Sequence, residues 1–237
     1  MNILVIAAHP DDEVLGMGAT IKKLTKQGNR VKIVIMASGI HSRRSSDYKN
    51  KPSYSADKKT LEKMKKQVED LQKDAKKASK ILGVNDIEFL NFPDNEMDTV
   101  SNLEITKEIE KIISSFQPSS VYTHSQYDIN IDHRLCYFAT LTATRPKANT
   151  KVKEVYSFEV PSSTEWYFPS SFAPNTFVDI EKELHVKIKA LQCYKHEIEK
   201  FPHPRSTDAL KAISQKWGSV AGFKNAEAFT LIRQLKK

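Results

Sequence analysis

Residues 7–18, AAHPDDEVLGMG, set His9, Asp11, Asp12 and Glu13 almost side by side. An imidazole nitrogen beside carboxylate oxygens is a donor set for zinc or a similar divalent ion. Three adjoining carboxylates repel one another, and a cation relieves that repulsion. A catalytic metal also needs a third protein ligand and a position open to water. A second acid–histidine cluster, VYTHSQYDINIDHR at 121–134, offers His124, Asp128, Asp132 and His133. Plainer roles exist for every part. Asp11 or Asp12 would serve as a helix cap, a lone histidine is more often structural than ligating, and Glu13 is expected on the helix-start surface. Spacing alone leaves both readings open.

The elements that must carry these residues follow from periodicity. NILVIAAH is an apolar run of strand length, and VLGMGATIKKLTKQG has helical spacing and ends on Gly28. RVKIVIMAS reads as a second strand, followed by a polar loop over 39–57. A lysine-rich helix, the strand IEFLNF, a helix near 103–116, the strand SSVYTH and a helix near 132–144 complete the first 145 residues. Such alternation predicts an α/β fold with a mainly parallel sheet covered by helices on both faces. Beyond it, EVYSFEV and NTFVDI read as added strands, with helices expected near 181–199, 207–217 and 225–235. We expect one domain over 1–237, a core to about 145 and a C-terminal elaboration over 146–237. Both clusters fall at carboxyl ends of strands, where open α/β sheets bind ligands.

Composition narrows the function classes. The 39% hydrophobic and 28% charged content is that of an ordinary globular protein. The net charge of +8 is concentrated in KKTLEKMKKQVEDLQKDAKKASK. There Leu61, Met64, Val68, Leu71 and Ala75 form an apolar stripe, and the lysines belong on the opposite, solvated face. No nucleic-acid partner is expected. Two cysteines make no disulfide framework, no run is long enough to span a membrane, and no leader pattern opens the chain. These features point to the cytoplasm; a homo-oligomer is compatible with them.

AAHPDDEVLGMGATI followed about 120 residues later by DINIDHR resembles the PIG-L/LmbE-type family of zinc-dependent de-N-acetylases. The resemblance implies a Rossmann-like sheet and hydrolysis of an N-acyl, usually N-acetyl, group on an amino sugar. It implies one zinc held by His9, Asp12 and His133, with Asp11 as the base that takes a proton from the attacking water. Asp132 resembles an acid that orients a neighbouring side chain, and Asp94, in FPDNEMD, an acid that grips sugar hydroxyls; a plain turn is the other reading there. Arg44, in the loop after the second strand, matches a substrate-contacting arginine. In FPHPRS, His203 and Arg205 sit on a proline-framed loop that connects helices or reaches over the site towards an anionic group. The chain departs from the family at Asn130, where described members carry the histidine that stabilises the oxyanion. Asn130 is expected to line the pocket and donate from its amide, leaving His124 or His203 to protonate the leaving amine.

The expected substrate is a small N-acylated amino sugar, nucleotide-linked or otherwise anionic sugars included. Two rivals stand beside this reading. A phosphoesterase would use a similar His/Asp cluster but would want a second metal, for which Asp128 and Asp132 leave room. A non-catalytic sugar or nucleotide binder would have no use for Asp11 beside a metal ligand. A dinucleotide is disfavoured, because this loop sets acids where a pyrophosphate would lie.

Overall fold

The computed structural model describes residues 1–39, 58–147, 150–169 and 172–236. Strand β1 (Asn2–Ala7) leads through helix α1 (Asp12–Lys26) to β2 (Arg30–Ala37). Helix α2 (Lys58–Leu82), β3 (Asp86–Phe92), α3 (Asn102–Phe116), β4 (Ser120–His124) and α4 (Ile131–Ala143) follow. The C-terminal part adds β5 (Glu154–Phe158), β6 (Thr176–Asp179), α5 (Leu184–Leu191), α6 (Thr207–Ala221) and β7 (Ala226–Gln234). All seven strands form one sheet in the order β3-β2-β1-β4-β5-β7-β6. The first five are parallel, and β7 pairs antiparallel with both β5 and β6.

The apolar strands are buried on both faces. One face of the sheet packs on α1, α2 and α5 through residues such as Val5, Ile33, Leu15 and Leu191. The other packs on α3 and α4 through Leu4, Ile6, Val34, Ile109 and Cys136. The chain order reverses direction at β1, with β2 on one side and β4 on the other. This is the switch point where doubly wound sheets open a crevice at their carboxyl ends. The first acid–histidine cluster leaves β1 there, and the second leaves β4.

Two expected helices change. The span 225–235 is strand β7. Its first four residues are buried on both faces, so the alternation that marks a half-exposed strand is missing, and helix-favouring Ala, Glu, Leu and Gln are overruled by pairing on both edges. The helix over 181–199 is confined to α5, after which the chain turns and drives Tyr194 fully into the core. The lysine-rich helix is as expected: Leu71, Ala75 and Ala78 are buried, and Lys63, Lys65, Lys66, Lys73, Lys76 and Lys77 are exposed.

Helix α1 is kinked at Met17 (φ −146°, ψ 24°), which opens the backbone ladder between Leu15 and Ala19. The freed groups find a buried ion pair from the C-terminal elaboration. Lys187 Nζ donates to the Leu15 carbonyl at 2.7 Å, while the Glu227 carboxylate accepts from Ala19 N–H (3.1 Å) and Thr20 N–H (2.6 Å). Lys187 and Glu227 close the circuit at 2.6 Å. Gly16 and Gly18 bracket the kink because other atoms fill their side-chain space: a Cβ at Gly16 would collide with the Phe158 ring, and one at Gly18 would lie 3.2 Å from the Lys187 stem.

Candidate metal centre and active site

The first loop is held in an unusual backbone state. Asp11 occupies the left-handed region (φ 108°), and its side chain makes no capping hydrogen bond to α1. The plain role of Asp11 as a helix cap is therefore not the one it plays. Asp12 instead turns back, its Oδ2 accepting from His9 N–H at 2.8 Å. Asp12 Oδ2 lies 3.5 Å from His9 Nδ1 and 3.2 Å from His133 Nε2, and the two ring nitrogens are 3.3 Å apart. A tetrahedral ion with bonds of about 2.0–2.1 Å has ligand–ligand edges of about 3.3 Å. The three donor atoms already stand at that spacing.

The outer atoms of the two histidines decide which nitrogens are free to ligate. His133 Nδ1 is 3.1 Å from Asp128 Oδ2, and His9 Nε2 is 3.1 Å from both Asp94 Oδ1 and Asp132 Oδ2. Carboxylates there hold the ring protons outward and leave lone pairs on the inward nitrogens, the orientation a ligating histidine requires. The carboxylates are fixed in turn. Asp132 accepts from Asn95 N–H and Met97 N–H, and Asp128 from the Ser163 and Thr164 hydroxyls. Burial lowers the basicity of His133, but the Asp12 and Asp128 carboxylates outweigh it and push the metal-free ring up to about 9. Asp128 responds in kind: burial opposes its charge, and His133 with the two hydroxyls brings it down to about 2. The donor set fits a divalent ion, and a second grouping of His9, Asp94 and Asp132 shares its one imidazole with the first.

Asp11 lies on the rim of this centre. It lines a cavity of about 240 Å³ with His9, Gly39, Asn95, Asn130, Glu197 and Arg205. Burial pushes the Asp11 carboxyl well up, while the Arg205 guanidinium, 2.9 Å from Oδ2, pulls against that shift. Arg205 also pairs with Glu197 at 3.2 Å and donates from Nε to Ser162 Oγ. Of the two readings open for its loop, the reach over the site is the one seen, with the guanidinium engaged by two carboxylates. A neighbouring cavity, between α2 and Tyr194, His196 and Glu197, shares Glu197 with this one among the described residues.

The other expected site residues sort as follows. Asp94 is buried beside His9 rather than turned to solvent as a grip for sugar hydroxyls. Asn130 lines the cavity, but its side chain is already engaged: Oδ1 caps α4 by accepting from Asp132 N–H, and Nδ2 donates to Asn95 Oδ1 at 2.8 Å. His124 corrects the expectation of a proton donor. It is fully buried, its Nε2 accepts from Ala8 N–H at 2.7 Å, and burial with the neighbouring His133 brings it down to about 3, so it stays neutral. His203 accepts from Arg205 N–H and does not line the cavity. Arg44 falls outside the described residues.

Glu13 is the clearest correction. Far from the surface, it is completely buried, accepting from Tyr194 O–H at 2.5 Å and from Asp11 N–H at 3.1 Å. Burial drives its carboxyl up to about 7 against the Tyr194 hydrogen bond. Glu13 and Tyr194 are legible only as residue types, because 181 positions separate them; Asp128 sits in the same cluster as His133, but the Ser163 and Thr164 hydroxyls that hold it come from a distant segment.

Comparison with known proteins places the chain. Residues 4–144 match the family model described as PIG-L, GlcNAc-PI de-N-acetylase. The chain belongs to this family. Diacetylchitobiose deacetylase from Thermococcus kodakarensis is 26% identical over 98% of this chain and 83% of that protein. N,N'-diacetylchitobiose deacetylase from Pyrococcus horikoshii superposes with a TM-score of 0.73 at 24% identity, covering 98% of this chain and 84% of that one. GalB, the 4-carboxy-2-hydroxymuconate hydratase of Pseudomonas putida, superposes with a TM-score of 0.76 at 21% identity, over 100% and 98% of the two chains. Fold alone thus spans more than one reaction. The family match and the deacetylase relatives make this PIG-L chain an amide-cleaving hydrolase, with a candidate metal centre at His9, Asp12 and His133. Among the described residues no helix is long and apolar enough to cross a membrane.

Proposed function

We propose that this chain, acting as one domain, is a zinc-dependent deacetylase that removes the N-acetyl group of an amino sugar or sugar conjugate. The observation that carries the reading is the convergence of His9 Nδ1, Asp12 Oδ2 and His133 Nε2 with every outer ring nitrogen tied to a carboxylate. The reading also draws on the GlcNAc of the family description and on the acetylated disaccharide of the archaeal relatives.

A divalent ion on these three ligands would polarise the amide carbonyl and acidify a water. Asp11 accepts the proton of the attacking water and returns it to the departing nitrogen. Arg205, 2.9 Å from Oδ2, favours the ionised form of Asp11 and offsets part of the upward push of burial. Asp128, Asp94 and Asp132 keep the two imidazoles in the ligating tautomer. With His124 neutral and His203 off the cavity, Asp11 is the group that reprotonates the amine.

The test is amine release from N-acetylglucosamine and N,N'-diacetylchitobiose by protein purified without chelator, beside elemental analysis. We expect about one zinc per chain and turnover lost on metal removal. Asp11→Asn is expected to fold and keep metal while losing roughly 10²–10⁴-fold in turnover. Near-normal turnover in that variant would reduce Asp11 to a structural partner of Arg205.

A further inference from the structure

Apolar side chains left on the surface of this protein are not evenly spread. Ten large ones stand exposed among the described residues, and five of them, Tyr127, Ile129, Trp166, Phe168 and Phe201, lie on three short segments, two of which run into residues that line the reaction cavity. The segment 127–130 ends on Asn130, which lines that cavity, and the segment after 201 reaches Arg205, which also lines it. The middle segment, 162–168, is stapled to both. Ser163 and Thr164 hydroxyls hold Asp128, Ser162 Oγ accepts from Arg205 Nε, and the Trp166 ring stands edge-on to His203 at 6.3 Å.

We propose that these segments form a binding rim for a second sugar ring of the substrate, with Trp166 and Phe201 as its specificity-determining side chains. The inference rests on the deacetylase reading and names the larger substrate it implies. A cavity of about 240 Å³ lies below the usual range for drug-sized ligands and has room for one acylated sugar ring. Anything attached to that ring leaves across the rim. A pyranose offers a face of C–H groups with hydroxyls around its edge, which suits an aromatic plane set among hydrogen-bonding groups. The rim has that texture. Its aromatics are interleaved with Ser162, His203 and Arg134, whose guanidinium lies 5.7 Å from the centre of the Tyr167 ring. Trp166 is 44% exposed and Phe201 66%, so part of each ring is open to a ligand. An alkyl chain would call for an unbroken apolar groove, and here the aromatic run 166–168 is bordered by Ser162, Ser163, Glu165, His203 and Arg134.

The experiment compares kcat/KM on N-acetylglucosamine, N,N'-diacetylchitobiose and octyl N-acetylglucosaminide for the wild type, Trp166→Ala and Phe201→Ala. The wild type is expected to favour the disaccharide, and each variant to lower the disaccharide-to-monosaccharide ratio about tenfold, carried by KM. A purely structural effect would depress both substrates alike, leave the ratio unmoved and overturn the proposal. So would a preference for the octyl glycoside that Trp166→Ala abolishes, or a changed oligomeric state in sedimentation with the ratio intact. Binding is read separately in Asp11→Asn protein, where the sugar survives the titration. Of the two tryptophans only Trp166 is exposed, Trp217 being buried, so the disaccharide should shift the emission to the blue and Trp166→Phe should remove the shift. A shift without amine release from any sugar would keep the rim and sink the deacetylase reading. Release with neither shift nor altered ratio would do the reverse.

Discussion

A ligating histidine is only as good as the group behind it, and in this protein that group is a buried acid at both rings. Asp128 faces His133 Nδ1 at 3.1 Å and is itself held by two hydroxyls. Asp128→Asn keeps the shape but cannot hold the proton outward as well, so metal affinity should fall by about 10–100-fold, measured by competition with a chromophoric chelator. The same geometry sets a pH dependence. Metal-free His133 carries a proton until about pH 9, and a protonated ring cannot ligate. Affinity should therefore rise as pH approaches 9, by about tenfold per unit for this one proton, and the histidine step should level off above it. Calorimetry in buffers of different ionisation heat at pH 7.5 should show release of at least one proton per ion bound. Affinity that is flat from pH 6.5 to 9 would remove His133 from the ligand set.

At the scale of elements, the site depends on how α1 begins and how it bends. Its first turn supplies Asp12 and Glu13, and its kink at Met17 is filled by Lys187 from α5 and Glu227 from β7. Breaking a buried ion pair by removing one partner typically costs about 3–5 kcal/mol. Glu227→Ala should lose stability on that scale in chemical denaturation. In many proteins the apolar double replacement recovers the loss, but here we expect little recovery from Lys187→Met with Glu227→Leu. The Leu15 carbonyl and the Ala19 and Thr20 N–H groups would still lack partners in a dry interior. Full recovery would show that the kink closes into a regular helix on its own. At Gly16 an added Cβ would meet the Phe158 ring and the Glu159 carbonyl. Gly16→Ala should destabilise by about 1–3 kcal/mol, seen as a lowered midpoint.

Across the whole molecule, the catalytic loop of the N-terminal sheet is finished by residues from the far end of the chain. Tyr194 reaches Glu13, Arg205 reaches Asp11, and Lys187 and Glu227 reach α1 across roughly 170–210 positions of sequence. The family match stops at residue 144, before all four. Tyr194→Phe removes one hydrogen bond and leaves the Glu13 carboxylate buried with backbone partners alone, so it tests this dependence gently. We expect kcat to fall about tenfold with zinc content unchanged, because the Asp11 backbone loses part of what holds its left-handed state. Unchanged kcat would mean that Arg205 alone positions Asp11.

Local sequence determined the parallel α/β core, because strands β1, β2 and β4 and helices α1, α3 and α4 each carry their own periodicity, and α3 and α4 their own caps in Ser101 and Asn130. It also placed two acid–histidine clusters at two strand ends; the family resemblance picked His9, Asp12 and His133 out of them, and the switch point brings those three together. Other features had no local signature. Glu13 read as surface because helix starts favour acids, and only Tyr194, 181 positions later, makes its burial tolerable. Strand β7 read as a helix because burial on both faces erased its alternation. Arg205 stays open between a plain connection and a reach towards an anionic group, because its loop alone does not reveal the two carboxylates that surround its guanidinium. Periodicity and residue chemistry are properties of neighbours in sequence; which charge neutralises which, and which side chain is shut away from water, is decided only when distant segments pack.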